Sequence, residues 1–267
     1  MTQQEQPGTE LTSTPAKLRR KGFYLLPNAI TISSLFCGFY AIVMSLNLEF
    51  KQATVAIFIS MILDSKDGRV ARLTRTQSEF GAQLDSLADM VAFGAAPALV
   101  VYEWSLKGMG RIGWVSAFVF CACAALRLAR FNTNIAIVDK RYFQGLPSPA
   151  AAALVAGFIW LMDDVGFSGS DFYWTSWLLT LYAGLTMVSN VPFYSFKVMD
   201  IRKSVPFIAV ILVVLIFVTI SFDPPKVLFG LFVIYGVSGY LIYLWRKIKG
   251  KPVSIVQTEV ESHDEKE

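Results

Sequence analysis

Ile62-Leu63-Asp64-Ser65-Lys66-Asp67-Gly68-Arg69-Val70-Ala71-Arg72, continuing through Gly81 and Asp85 to Asp89, sits between two apolar runs at 53–63 and 84–101. Its four aspartates therefore fall at or near the ends of membrane spans, where ionisable groups are costly and mark function. On a helix, Asp64, Asp67 and Ala71 lie at i, i+3 and i+7 and share one face. Gly81, Asp85 and Asp89 lie at i, i+4 and i+8 and share a face of the next helix. A short turn near 74–78 would let the two helices aim all four acids at one another. Carboxylates that close cannot all carry charge unaided. Mg²⁺ or Mn²⁺ resolves the conflict, because hard cations take carboxylate oxygens and keep positions open for substrate phosphates. Gly68 and Gly81 clear side chains from where a ligand would lie against the backbone, and Arg72 offers a fork to a phosphate oxygen. Ordinary helix-end charges in a polar loop would not need two same-face sets with glycines between them.

Composition sets the solvent. The chain is 54% hydrophobic with only 16% charged residues and a mean hydropathy of +0.50, far from a soluble average. Several apolar stretches approach the length of a bilayer crossing, so an all-α, polytopic transmembrane helical bundle of about eight spans is expected. Long runs with short loops exclude an outer-membrane barrel, whose segments alternate over about ten residues. The three cysteines, Cys37, Cys121 and Cys123, all lie in apolar runs and do not form a disulfide framework. Cys121 and Cys123 point to different helix faces, which argues against a metal site there. The single histidine, His263, is in the C-terminal tail, so catalysis by a buried histidine pair is excluded.

Taken in order, residues 1–16 read as a disordered tail and 17–27 as a basic interfacial segment, with Lys17, Arg19, Arg20 and Lys21 ahead of aromatics. No cleavable signal peptide is apparent. Beside a span, that cluster suits anionic lipid headgroups rather than nucleic acid. Pro27 is expected to start the first helix, with a span at about 28–46. Asn28 and Thr31, at i and i+3, read from the residues alone as a helix cap and a hydroxyl bonded back to the preceding turn. The second span begins near Gln52 and ends in the acidic stretch, and the third begins in it. The fourth starts near Gly113 and reaches Arg127, Arg130 and Asn132. Arg127 and Arg130 are either positive-inside anchors or an anion site for a phosphate or carboxylate. A fifth span follows Pro149, and a sixth runs over about 174–188. Two more, at about 205–222 and 227–245, are divided by Asp223-Pro224-Pro225-Lys226. The main domain is placed at 28–200, the two additional C-terminal spans at 201–250 and a polar tail at 251–267.

The pattern Asp64-x2-Asp67-Gly68-x2-Ala71-Arg72-x8-Gly81-x3-Asp85-x3-Asp89 resembles the full signature of the CDP-alcohol phosphatidyltransferases, with every spacing intact. Further stretches are similar to that family's bacterial phosphatidylserine synthase branch. They include Gln77-Ser78-Glu79-Phe80-Gly81, Leu126-Arg127-Leu128-Ala129-Arg130-Phe131-Asn132, Gly145-Leu146-Pro147-Ser148-Pro149 and Ser195-Phe196-Lys197. The resemblance covers roughly 20–200. Lys66 departs from it, since relatives carry an uncharged residue there. Two residues on from Asp64 it lies about 200° around the helix, facing away from the acids.

The resemblance implies metal-dependent transfer of a phosphatidyl group from CDP-diacylglycerol to a small hydroxyl-bearing acceptor, with release of CMP. It implies two divalent ions, Mg²⁺ or Mn²⁺, with Asp64, Asp67, Asp85 and Asp89 as ligands and Asp89 also as catalytic base. Asn28, Thr31, Gly68, Ala71, Arg72 and Gly81 would bind the CDP-lipid, and Arg127, Arg130 and Asn132 the acceptor or a phosphate. L-serine is the acceptor that the branch suggests. Glycerol 3-phosphate or inositol phosphate would want a denser cationic pocket. An ion-coupled transporter is the alternative from another class, and the absence of inverted halves counts against it. The expected partners are CDP-diacylglycerol, L-serine and membrane lipids, with homodimerisation left open and no nucleic acid. The expected place is the bacterial inner membrane.

Orientation follows from charge. Of the 24 Lys and Arg residues, only Lys51, Lys107, Arg111 and Lys226 fall on the side opposite the acidic stretch. That bias puts the acids and both termini in the cytoplasm. A thiol probe placed at Ser168 should react with an impermeant reagent outside intact cells, and one at Ser78 should not. The reverse labelling pattern would overturn this topology.

Overall fold

The computed structural model describes residues 15–74, 78–133, 142–195 and 207–249. Most of the expected tails, 1–16 and 251–267, lies outside the described residues. The helices are α1 (Pro15–Leu46), α2 (Phe50–Thr74), α3 (Glu79–Asp89), α4 (Ala96–Trp104), α5 (Arg111–Thr133), α6 (Ser148–Val165), α7 (Tyr173–Val188), α8 (Phe207–Phe222) and α9 (Pro224–Ile248). A π-helical segment, Met90–Ala95, joins α3 to α4 into one continuous column, Glu79–Trp104. The fold is an all-α polytopic bundle. Among the described residues, five columns are long and apolar enough to cross a bilayer: Pro27–Leu46, Glu79–Trp104, Arg111–Thr133, Ser148–Val165 and Pro224–Ile248. Of the others, α2 carries the motif's charges, while α7 and α8 have 16 residues each, only about 24 Å at the α-helical rise.

One local expectation fails. Helix α1 begins at Pro15 and runs through Pro27, so Pro27 does not start it and Asn28 does not cap it. A proline inside a helix forfeits one backbone bond, but the turns on either side remain. The Pro27 carbonyl instead accepts from Thr31 Oγ1 at 3.1 Å. The interfacial segment expected at 17–27 is thus part of a continuous helix.

The helices alternate in direction, which gives the bundle two ends. At one end lie the end of α2, the start of α3, the ends of α5, α7 and α9 and the start of α6. The four basic residues assigned to the opposite side are at the other end. There, Lys51 pairs with Asp164 at 2.9 Å, and Ser105 donates to the Gly169 carbonyl at 2.8 Å. At the start of α9, the Asp223 side chain accepts from the Lys226 backbone N–H, and the neighbouring Lys226 ammonium holds the Asp223 carboxyl below its usual range.

The centre of the bundle is α6. Every residue from Ala150 to Ile159 is buried, because Ala150–Ala153, Ala156 and Gly157 let neighbouring helices approach on all sides. Phe158 and Trp160 close its far half through ring contacts with Trp104, Phe172, Phe229 and Phe58. One feature was not expected. A two-stranded antiparallel ribbon, β1 (Tyr142–Gln144) with β2 (Pro192–Tyr194), pairs Phe143 with Phe193. Gly145 follows at φ +75°, a conformation that suits glycine, and its N–H reaches the Val191 carbonyl at 2.9 Å.

Helix α1 is held against the motif helices at two levels. Ser34 and Ser60, both buried, share a hydroxyl contact of 2.7 Å, and each also donates to the other's carbonyl. In an apolar span such pairs join helices by satisfying polar groups that lipid cannot. One turn on, Gly38 packs so closely on the π segment that a Cβ there would stand 2.7 Å from Ala92 Cα. Gly38→Val should therefore push α1 off the π segment. The expected cost is about 1–3 kcal/mol, seen as a lower unfolding midpoint in detergent. An unchanged midpoint would show that the close approach is not needed.

Candidate active site

The antiparallel run of α2 and α3 converts two sequence series into two facing pairs. Asp67 comes within hydrogen-bonding reach of Asp85, and Asp64 of Asp89. Asp64, Asp67 and Asp85 each present a carboxylate oxygen within 4.8 Å of the others. This all-oxygen set suits a hard divalent cation and no soft one. The side chain of Ser78 caps α3 by accepting from the Gly81 N–H at 3.0 Å, which fixes where the second acidic face begins.

Asp67 is the most enclosed of the three, at 5% exposure. Its two oxygens have separate partners. Thr31 Oγ1 of α1 donates to Oδ2 at 2.8 Å, and the Gly68 N–H donates to Oδ1 at 2.5 Å. Thr31 thus orients a carboxylate, a part the sequence does not reveal. Asn28 stands nearby, its Oδ1 only 3.3 Å from where a Cβ on Gly81 would be. A Cβ on Gly68 would meet nothing within 4 Å, so the backbone there faces open space. The side chains of Ala71 and Arg72 lie outside the described residues. Lys66 is exposed.

Asp89 is the last residue before the π segment. Its carboxyl lies within electrostatic reach of Asp64, Asp85 and the Arg127 guanidinium. An extra residue per turn rotates everything downstream, placing buried Phe93 and Gly94 in the core directly after an acid that must face the site.

The three α5 residues expected at the acceptor behave differently from one another. Arg127 is 9% exposed; its Nη1 donates to Ser148 Oγ at 2.6 Å, and its buried Nε has no hydrogen-bond partner among the described residues. Arg130 is bound to the end of α7, donating to the carbonyls of Val188 at 2.8 Å and Met187 at 3.4 Å and to Asn190 Oδ1 at 3.3 Å. Exposed Asn132 donates to Ser86 Oγ at 3.0 Å, tying α5 to α3.

A family model described as CDP-alcohol phosphatidyltransferase matches residues 24–188. The chain belongs to the CDP-alcohol phosphatidyltransferase family. Its relatives include proteins named CDP-diacylglycerol–serine O-phosphatidyltransferase from three domains of life. One from Helicobacter pylori is 38% identical over 85% of this chain and 96% of its own length. The Methanocaldococcus jannaschii protein is 37% identical over 61% of this chain and 71% of its own, and the Saccharomyces cerevisiae protein 39% over 52% and 56%. The matched stretch runs from within α1 to the end of α7.

Sequence reasoning missed four residues around this site. Ser148 binds Arg127, and Asn190 takes hydrogen bonds from both Arg130 and Gln144. Ser86 binds Asn132, and Tyr235 of α9 lies within electrostatic reach of Arg127. Only Ser148 had a signal, its place between two prolines in Gly145–Pro149. The others depend on helices distant in sequence. Arg130→Ala should leave the end of α7 short of its donors, lowering stability by about 1–3 kcal/mol. Thermal unfolding of the purified variant reads this, and an unshifted midpoint would refute the anchoring part.

Proposed function

We propose that the chain transfers the phosphatidyl group of CDP-diacylglycerol to L-serine, giving phosphatidylserine and CMP, at the cytoplasmic face of a bacterial inner membrane. The observation that carries this is the meeting of three carboxylates within 4.8 Å with Asp89 beside them, at the end of the bundle that also holds buried Arg127. The named relatives support serine as the acceptor.

Asp64, Asp67 and Asp85 would hold two divalent ions, Mg²⁺ or Mn²⁺, with Asp89 sharing in coordination. When bound, these ions neutralise the pyrophosphate and the charge that departs with CMP. Thr31 and the Gly68 N–H keep Asp67 aimed, so little reorganisation is needed as the substrate arrives. Asn28, Thr31, Gly68, Ala71, Arg72 and Gly81 border the cytidine and its phosphates. Gly68 leaves room for close approach, and Arg72 supplies a charged fork. Asp89 takes the proton of the serine hydroxyl as its oxygen attacks the lipid-side phosphorus. The phosphorus–oxygen bond to CMP breaks in the same displacement. A carboxylate is a weak base for an alcohol, so alignment and charge neutralisation supply most of the acceleration. The acyl tails remain in the bilayer throughout.

Purified protein given CDP-diacylglycerol, Mn²⁺ or Mg²⁺ and one acceptor at a time should convert serine and lose all turnover in excess chelator. Asp64→Asn, Asp67→Asn and Asp85→Asn should each cut kcat by about a thousandfold or more. A CDP-lipid made chiral at the transferred phosphorus should give inverted product, because one in-line displacement inverts. Retention of configuration, or a lipid adduct trapped on a carboxylate, would replace this scheme with a phosphatidyl-enzyme.

A further inference from the structure

A buried arginine with no carboxylate bonded to it among the described residues, and only Asp89 within electrostatic reach, needs explaining, because an enclosed cation is costly unless an anion or hydrogen bonds compensate it. Arg127 is nine-tenths buried, and Ser148, a neutral residue that is itself fully buried, is its one hydrogen-bond partner among the described residues. That bond uses Nη1, while Nε is buried and unpaired. The unengaged side of the guanidinium is therefore its Nε–Nη2 edge, one of the two geometries in which arginine holds a carboxylate through parallel hydrogen bonds. Ser148 is the first residue of α6, a helix of 18 residues whose N-terminal dipole also favours an anion. The neighbouring Arg130 is engaged with the end of α7, so the two arginines of α5 are not equivalent.

We propose that Arg127, braced by Ser148 at the first turn of α6, takes the carboxylate of the acceptor through its Nε–Nη2 edge and so selects an amino acid over a simple alcohol. This rests on the reading that serine is the acceptor. In serine the hydroxyl oxygen and the carboxylate carbon are three bonds apart, about 3–4 Å. One small molecule can therefore place its hydroxyl at Asp89 and its carboxylate at Arg127, which lies within electrostatic reach of Asp89. The lipid's own phosphates belong with Asp64, Asp67 and Asp85, which leaves the Arg127 edge to the acceptor. Ser148 acts through Arg127 as a positioning residue. Its hydroxyl occupies one nitrogen and leaves the Nε–Nη2 edge for the ligand.

The test compares L-serine with serinol, in which a hydroxymethyl group replaces the carboxylate, as acceptors for the full-length protein in detergent with CDP-diacylglycerol and Mn²⁺. Wild type should prefer serine in kcat/KM. Arg127→Lys keeps the charge but loses the fork, so that preference should fall at least about tenfold, mainly through the KM for serine. The KM for CDP-diacylglycerol should move by less than about twofold. Ser148→Ala should shift the preference in the same direction by about threefold, and it carries the test if the lysine variant does not accumulate. A merely structural role would depress both acceptors alike and leave their ratio unchanged. An unchanged ratio in both variants, with wild type still preferring serine, would overturn the Arg127 subsite and leave the proposed function standing. Failure of wild type to use serine at all would overturn the function itself, and the subsite with it.

Discussion

Mutual repulsion among carboxylates is the constraint around which this bundle is built. Three of them approach within 4.8 Å, and a fourth stands beside them, in a protein whose surroundings are largely apolar. Left alone, α2 and α3 would separate at that end. They are held from behind, by α1. Ser34 and Ser60 lock α1 to α2, Gly38 lets α1 lie flat on the π segment, and Thr31 reaches across to Asp67. The scaffold thus supplies the approach, and the charge is left for a cation and a phosphate to satisfy.

The sequence made the motif's geometry legible because its spacing maps directly onto helix faces. Asp64, Asp67, Asp85 and Asp89 converge as a period of 3.6 residues demands. Hydropathy likewise located the helical columns. Local rules failed where long-range packing decided. Pro27 reads as a start signal, but the structure continues the helix through it. The hydroxyl of Thr31 does bond back to the preceding turn, and it also serves Asp67, which is 36 positions away. Arg127 and Arg130 carry the same side chain three residues apart, and only the placement of α6 and α7 separates a buried, half-engaged guanidinium from a helix anchor. No periodicity announces the ribbon of β1 and β2, because three residues are too few to show an alternation.

The matched family region ends with α7, but the site's surroundings do not. Helix α9 packs on α6 and contacts β2 through Phe193 and Tyr235. The Tyr182 hydroxyl donates to the Gly236 carbonyl at 2.9 Å, and the Thr186 and Tyr240 hydroxyls meet at 2.8 Å. Arg246 then covers the Tyr142 ring at 4.2 Å. Through these contacts a helix outside the family match braces both the ribbon and the helix that carries Ser148. Helix α8 packs chiefly against α9 and is remote from the acids.

The π segment has a consequence for how chains of this kind can differ. One surplus residue lies between Asp89, which must face the site, and Phe93 and Gly94, which must face the core. Were the same residues to wind as an ordinary α-helix, the two halves of the column would turn by about 100° relative to each other. Every aspartate would keep its spacing, and the apolar stretch would keep its length. The acids and the hydrophobic face would nevertheless no longer be served by one straight rod. The phase between the acids and the core face is therefore set within 90–95, by the way a single turn is wound.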